Sequence, residues 1–410
     1  MFYSFQTLFI KTSNMDKQYI ASRASHLETR EDLLNLLSEM KKDELGDAGY
    51  PFKMKQLTWY CNPNHVRRRY KHFSILKKSG KKRNIDAPSR GLMSLLVYIN
   101  KMLQAMYSPN DYAVGFVPGR SIVTGAQKHV NHRFVLNLDL KDFFTSIEKY
   151  RVFGRLRLAP FNFNIEIANT VAGLCCMRIG DKESDYKYVL PQGSPASPTI
   201  TNLVCEILDR RLAGLAKRFE LTYTRYADDI TFSGNRYVFS KNGTFFKELY
   251  RIIKDQQLEV NSDKTRLQKL GGRQEVTGVV VSDRVNVTRE YVKEIRDILY
   301  IWEKYGHDDA YARFYPKYKK EKGHIKKGEP TLEGVIGGKL LYMKMVKGES
   351  SPTYQKLQAQ FERLTTKRVE GNEVEPTIVD MPSVMNTTPS TDIDKKLDDL
   401  ISSGFDLSIL

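Results

Sequence analysis

The sequence predicts an α+β fold. Short β-branched and aromatic runs meet at tight turns in three places, residues 75–88, 221–234 and 276–288. The stretches between them keep apolar residues at helical spacing. With 410 residues, 41% hydrophobic and 28% charged, the chain can bury a sizeable core and form two or three subdomains.

The elements follow in order. Leu33, Leu34, Leu36 and Leu37 set an amphipathic helix over 31–40. Residues 59–78 are basic and aromatic, and Ser79-Gly80 marks a turn between two strands. That hairpin presents Lys77, Lys78, Lys81, Lys82 and Arg83, either as a cationic flap or as a solvated charged loop. A helix is predicted over 91–107, a loop over 113–122, and a further helix through His129. Residues 134–144 form an apolar run that ends in acids and aromatics: Asp139, Asp142, Phe143 and Phe144. Residues 151–176 read as mostly helical, followed by a polar turn at 180–185. A helix is predicted over 239–257, and an alternating hairpin over 276–288 with its turn near Ser282-Asp283. Val292, Ile295, Ile298, Leu299 and Trp302 keep a helical stripe; 317–328 reads as a basic loop, and 332–346 and 354–364 as helices.

The formal charge is +17 and the pI near 9.4. Such a balance suits a polyanion partner, because Lys and Arg neutralise phosphates and release counterions. Solubility charge and an anionic membrane surface are the other readings. Aromatic content of 11%, with 23 Tyr, offers stacking surfaces for single-stranded nucleic acid. From Glu370 to Leu410 nine acidic and two basic residues give −7, leaving +24 on the rest. That stretch reads as a linker with a short amphipathic end, either a loose terminus or a docking peptide for a partner protein. Cys61, Cys175, Cys176 and Cys205 show no Cys-x-x-Cys pair and no zinc spacing, so reduced thiols in a cytoplasmic protein are expected. No apolar run has transmembrane length, and no membrane partner is expected. The apolar first ten residues lack a basic leader, and Met15 is an alternative start to Met1.

The chemistry concentrates in Tyr226-Ala227-Asp228-Asp229, between two β-rich runs. Two acids at a hairpin tip repel each other unless a cation sits between them. Solvated turn acids are the plain alternative. If Asp139 closes a strand beside this hairpin, three carboxylates converge, and two Mg²⁺ ions could clamp the attacking and leaving oxygens of a phosphoryl displacement. Pro191-Gln192-Gly193 lies between the two acid sites.

These three stretches occur in the order and style of the palm motifs of reverse transcriptases, which the chain resembles from about His65 to Leu364. The resemblance implies a right-hand polymerase: fingers, a palm of antiparallel sheet plus helices, and a small helical thumb. It divides the chain into an N-terminal extension (1–30), fingers and N-terminal helices (31–129), palm (130–285, with a fingers insertion at about 151–189), thumb (286–369) and tail (370–410). Asp139, Asp228 and Asp229 then resemble the catalytic, metal-binding acids, with the Leu140 carbonyl as an added oxygen ligand. Arg83 and Lys78 would grip the phosphates of the incoming nucleotide, Gln192 its sugar and base. Phe144 would exclude a ribose 2′-OH, with Phe143 in the core. Lys264 resembles the late palm lysine that meets the leaving pyrophosphate.

The resemblance narrows to bacterial retron reverse transcriptases through Val276-Thr277-Gly278, which would lie near the primer end. Their Asn-Ala-x-x-His signature appears as Gly125-Ala126-Gln127-Lys128-His129, with Gly in place of Asn, and their His-Gly-Phe as Val114-Gly115-Phe116. His129 is either a primer/template contact or a structural histidine. Such enzymes copy part of a cognate structured non-coding RNA from dNTPs into branched, 2′–5′-linked multicopy single-stranded DNA (msDNA). The partners implied are that RNA and its cDNA, an effector protein in an anti-phage unit, and a host RNase H. The rival readings are a non-retron bacterial reverse transcriptase, of group II intron or other type, and a ribonucleoprotein scaffold restraining an effector.

Overall fold

A computed structural model describes residues 15–66, 68–76, 80, 82–180, 185–322 and 329–370. Lys77, Lys78, Lys81, most of the polar turn at 180–185, the end of the basic segment and the acidic tail after Glu370 lie outside the described residues. The chain forms two compact units, one ending at Val285 and one beginning at Asn286.

In the first unit, helices α1 (Lys17–Ser25), α2 (Arg30–Leu45) and α3 (Met54–Cys61) precede the antiparallel hairpin β1 (Tyr70–Leu76) and β2 (Lys82–Pro88). The α2 start is a capping box. Thr29 Oγ1 accepts from the Asp32 amide, and Asp32 accepts from the Thr29 amide. Such caps contribute about 1 kcal/mol. Beyond it Leu33, Leu34, Leu36, Leu37 and Met40 are buried. Helices α4 (Arg90–Met106) and α5 (Ile122–Gln127) lead to β3 (Phe134–Asp139). The predicted helix over 151–176 is two helices, α6 (Lys149–Leu156) and α7 (Ile165–Cys175). Helix α7 is buried on nearly every side, as expected of a central core helix. Ile20, Leu36, Leu95, Ile99, Val171 and Ile200 belong to one apolar cluster, so α1 shares its core with α4 and α7. Burial pushes the Cys176 thiol up to about 12 and that of Cys205 to about 11, which leaves both inert packing groups.

A second core lies under the main sheet. After β4 (Met177–Ile179), β5 (Lys187–Val189), α8 (Ser197–Val204) and α9 (Glu206–Arg218) come β6 (Thr222–Tyr226), β7 (Asp229–Gly234), α10 (Thr244–Asp255) and β8 (Arg266–Lys269). The sheet order is β6-β7-β3-β8, all antiparallel. Alternation sends Leu136, Leu138, Tyr223, Ile230 and Phe232 toward the apolar faces of α9 and α10. Helix α10 begins five residues later than predicted, because the Gly243 amide donates to the Ser240 carbonyl and closes a turn first. The predicted hairpin at 276–288 contains an additional turn. Thr277 and Gly278, at φ +48° and +82°, turn between β9 (Glu275–Val276) and β10 (Val279–Val281). A further turn leads to β11 (Val285–Asn286).

The second unit is helical: α11 (Arg289–Tyr305), α12 (His307–Lys322), α13 (Leu332–Lys347) and α14 (Pro352–Glu370). Thr288 and Thr331 cap α11 and α13 by accepting from the Tyr291 and Gly334 amides. Gly306 and Gly348 end α11 and α13 with positive φ, where a side chain would be strained. Residues 317–322, predicted as the start of a basic loop, are the last turns of α12. Among the described residues no helix is long and apolar enough to cross a membrane.

His129 ties the loop after α5 to the sheet face away from α9 and α10. It is 1% exposed, with Nδ1 2.6 Å from Ser233 Oγ and Nε2 2.7 Å from Thr224 Oγ1. A neutral imidazole supplies one donor and one acceptor to the two hydroxyls. Burial, then His132 and Lys128, depress its pKa to about 3. A base held neutral in the fold adds stability above its unfolded pKa, near 6.5, and loses it as pH falls toward 3. We therefore expect the melting temperature to fall more steeply between pH 6.5 and 5 in the wild type than in His129→Gln. Equal slopes in thermal melts would contradict the buried neutral imidazole.

Candidate active site

The strand register builds the site. Asp139, the last residue of β3, pairs directly with Asp229, the first of β7, and Tyr226 at the end of β6 pairs with Asp229 from the other side. The hairpin loop is therefore only Ala227 and Asp228, and Asp229 lies in the strand rather than in the turn predicted to carry both acids. The Leu140 amide donates to the Asp228 carbonyl (3.1 Å), which sews the end of β3 to the turn. Ala227 adopts φ +54°, which lets the hairpin close in two residues. Asp139 and Asp229 share a sheet face, and like charges directly opposite destabilise a pair.

The electrostatics reflect that crowding. Protein enclosure first, then Asp228 and Asp139, push the Asp229 carboxyl up to about 7. Asp229 keeps a solvent-exposed face, so this enclosure is one-sided. Enclosure and Asp139 also raise the Asp228 pKa, while Lys264 and Arg83 act in the opposite sense. Asp139 is 7% exposed and well partnered. Its Oδ1 accepts from Lys264 Nζ at 2.7 Å, its Oδ2 from Asn261 Nδ2 at 3.2 Å, and its carbonyl from the Asn261 amide at 2.7 Å.

The donor set consists of hard oxygens, which suits Mg²⁺ rather than a soft metal. Among the described residues no three acid, imidazole or thiol side chains are gathered as ligands. The Lys264 ammonium supplies the nearest positive charge to Asp139 instead. Crowded carboxylates with raised proton affinity are a fit to a divalent cation, since either a proton or a metal relieves the same repulsion.

The other predicted residues fall into two groups. Gln192 and Arg83 meet. With its amide facing them, Gln192 donates from Nε2 to the Asn84 carbonyl (3.2 Å) and accepts from Arg83 Nε at Oε1 (3.3 Å). The Gln192 carbonyl also accepts from the Asp86 amide (2.7 Å), so the Pro-Gln-Gly turn is bonded to β2. Phe144 is half-buried, 5.6 Å from the core ring of Phe143 and 6.4 Å from Phe116, which in turn lies 5.9 Å from Tyr226. Lys78 lies outside the described residues. Val276 is buried, and the Thr277 hydroxyl is buried without a hydrogen-bond partner. His129 takes the structural place, with both ring nitrogens engaged inside the fold.

Sequence reasoning missed the support beneath the turn. Arg225, on the helix-facing side of β6, is fully buried and forks onto Asp209 of α9 through Nε and Nη2, both at 2.7 Å. An arginine on the apolar side of a period-two alternation is a readable signal, because a buried charge demands a partner. Asn261 carries no comparable signal.

A family model described as "Reverse transcriptase (RNA-dependent DNA polymerase)" matches residues 75–290. The chain is 39% identical over 245 residues to the Retron Mx65 reverse transcriptase of Myxococcus xanthus, covering 58% of this chain and 57% of that one. It is 36% identical over 231 residues to the Retron Ec86 reverse transcriptase of Escherichia coli (56% and 68%), and 32% identical over 288 residues to the Retron Mx162 reverse transcriptase of Myxococcus xanthus (64% and 59%). The chain thus spans between about half and two thirds of the length of these relatives. With its α+β polymerase fold, it belongs to the reverse transcriptase family and, within it, to the bacterial retron reverse transcriptases.

Proposed function

We propose that this protein is an RNA-directed DNA polymerase of retron type, which copies part of a cognate structured RNA into msDNA. The observation that carries the reading is the strand register that sets Asp139 directly opposite Asp229, with Asp228 in the adjoining two-residue turn. The unit ending at Val285 would supply fingers and palm, and the helices from Arg289 the thumb.

In this reading the three carboxylates and the Leu140 carbonyl would hold two Mg²⁺ ions, which would supply charge stabilisation to the attacking and leaving oxygens. The remaining work belongs to the chain. Arg83 presents a planar fork to the incoming triphosphate, a geometry that suits phosphate oxygens. Gln192, bonded to the same strand as Arg83, meets the sugar and base. Lys264, 2.7 Å from Asp139 Oδ1, swings to the leaving pyrophosphate and neutralises charge there. The Phe144 ring, braced by Phe143 and Phe116, fills the space a ribose 2′-OH would need. Val276-Thr277-Gly278 borders the primer end. Positioning and electrostatics supply nearly all of the rate.

The substrates are dNTPs and the cognate RNA. The first bond forms from a guanosine 2′-OH, giving the branched 2′–5′ product. The basic balance of the chain outside its tail matches these polyanions. The setting is the bacterial cytoplasm, in an anti-phage unit, with a neighbouring effector docking on the acidic tail and a host RNase H trimming the template.

Asp228→Asn with Asp229→Asn should abolish DNA synthesis, by at least about 1000-fold on the scale of lost electrostatic catalysis, and leave RNA binding nearly intact in a filter assay. Full activity would remove the carboxylate assignment. Phe144→Ala should raise ribonucleotide incorporation in primer extension; unchanged sugar selectivity would take Phe144 out of the gate. Sequencing the nucleic acid that copurifies with the native complex tests the retron reading. A short cDNA joined 2′–5′ to one structured RNA supports it, and linear cDNA from 3′ ends sinks it.

A further inference from the structure

We infer that the buried Arg225–Asp209 pair is a positioning device for the carboxylate turn, setting where Ala227 and Asp228 present their backbone and hence where Asp228 reaches. This rests on the reading of Asp139, Asp228 and Asp229 as the catalytic centre.

The guanidinium is completely enclosed and each of its three nitrogens donates a hydrogen bond. Its fork binds Asp209, Nη2 also donates to Asn202 Oδ1 (3.1 Å), and Nη1 donates to the Ala227 carbonyl (3.2 Å). That last bond runs from the core straight onto the two-residue loop. Asp209 is fixed in turn by the Tyr223 hydroxyl (2.8 Å). Asn202 fixes a second wall of the turn, donating from Nδ2 to the Gly115 carbonyl (2.9 Å). Gly115 packs so closely that a Cβ there would stand 2.8 Å from the Ala227 nitrogen. The Arg225 backbone completes the frame, its amide donating to the Tyr112 carbonyl and its carbonyl accepting from the Val114 amide, both at 2.8 Å. The turn is clamped from below by the guanidinium and from the side by residues 112–115. Ala227 is held in a left-handed conformation that an alanine visits only at a cost, so the surroundings impose it.

Stability alone is a poor reason for such a pair. A buried ion pair replaced by apolar residues of similar volume is often neutral or stabilising, whereas removing one partner is strongly destabilising. An apolar pair would fill the same space but could not hold the Ala227 carbonyl.

The test uses that asymmetry. Arg225→Met with Asp209→Leu is compared with wild type in primer extension on an RNA template, with circular dichroism and thermal melting to establish folding. The expected result is a folded protein whose KM for dNTP stays within about threefold while kcat falls by about 100-fold, the scale of an ångström-sized misplacement. A folded double variant with wild-type kcat overturns the inference. Gly115→Ala keeps the ion pair and presses on the turn, so it serves if the double variant does not fold. The same loss in kcat with KM retained supports positioning, and unchanged kcat overturns it. Asp228→Asn separates the two levels. If it stays active, the catalytic reading itself fails; if it is dead while the double variant is active, only the positioning role fails.

Discussion

Carboxylates crowded at one end of the sheet, Asp139 and Asp229 on paired strand ends and Asp228 in the turn between strands, are the constraint around which the first unit is organised. The β3–β7 register places Asp139 opposite Asp229 and leaves no freedom to separate them. A one-residue slip of either strand would relieve the repulsion, but it would also turn that strand's core pair, Leu136 and Leu138 or Ile230 and Phe232, out of the core. The apolar side of the sheet therefore holds the charged end in an unfavourable state. Asn261 and Lys264 are partial relief, and a site in this condition favours cations.

The two faces of the sheet divide the labour. One is sealed by the apolar sides of α9 and α10. The other uses fitted polar contacts: His129 between two hydroxyls, Asn137 between Thr231 and the Glu275 carbonyl, and Gln274 on the His132 and Arg133 carbonyls. Apolar contact is tolerant of small shifts, while directional bonds fix relative position. The carboxylates of Asp139 and Asp229 lie on the directional side.

Much of this was legible in the sequence because periodicity reports which face is buried. The strand ending at Asp139, the hairpin at Asp228 and Asp229, and the helices about Leu33 to Leu37, 91–107 and Val292 to Trp302 all carry a clean apolar stripe. The errors fall where that stripe is absent. Residues 317–322 are charged helix with no apolar period of their own, so composition suggested a loop. The turn at Thr277 and Gly278 depends on a positive φ at a β-branched residue, which propensity argues against. The Arg225 network joins residues far apart in the chain, and only the fold brings them together. His129 keeps two readings in the sequence because a lone histidine does not reveal its partners.

The bond from the Asp86 amide to the Gln192 carbonyl makes the root of the β1–β2 hairpin part of the rigid body that carries Pro191-Gln192-Gly193. A hairpin fixed at its root moves as a lever. Lys82 lies four residues beyond Asp86, about 13 Å of extended strand. A tilt of about 10° about that fulcrum would carry Lys82 by about 2 Å, over a strand of that rise, and would stretch the bond from Arg83 Nε to Gln192 Oε1. The Lys82 end of the hairpin can sweep by nearly the length of a hydrogen bond while its pivot, beside Gln192, stays still.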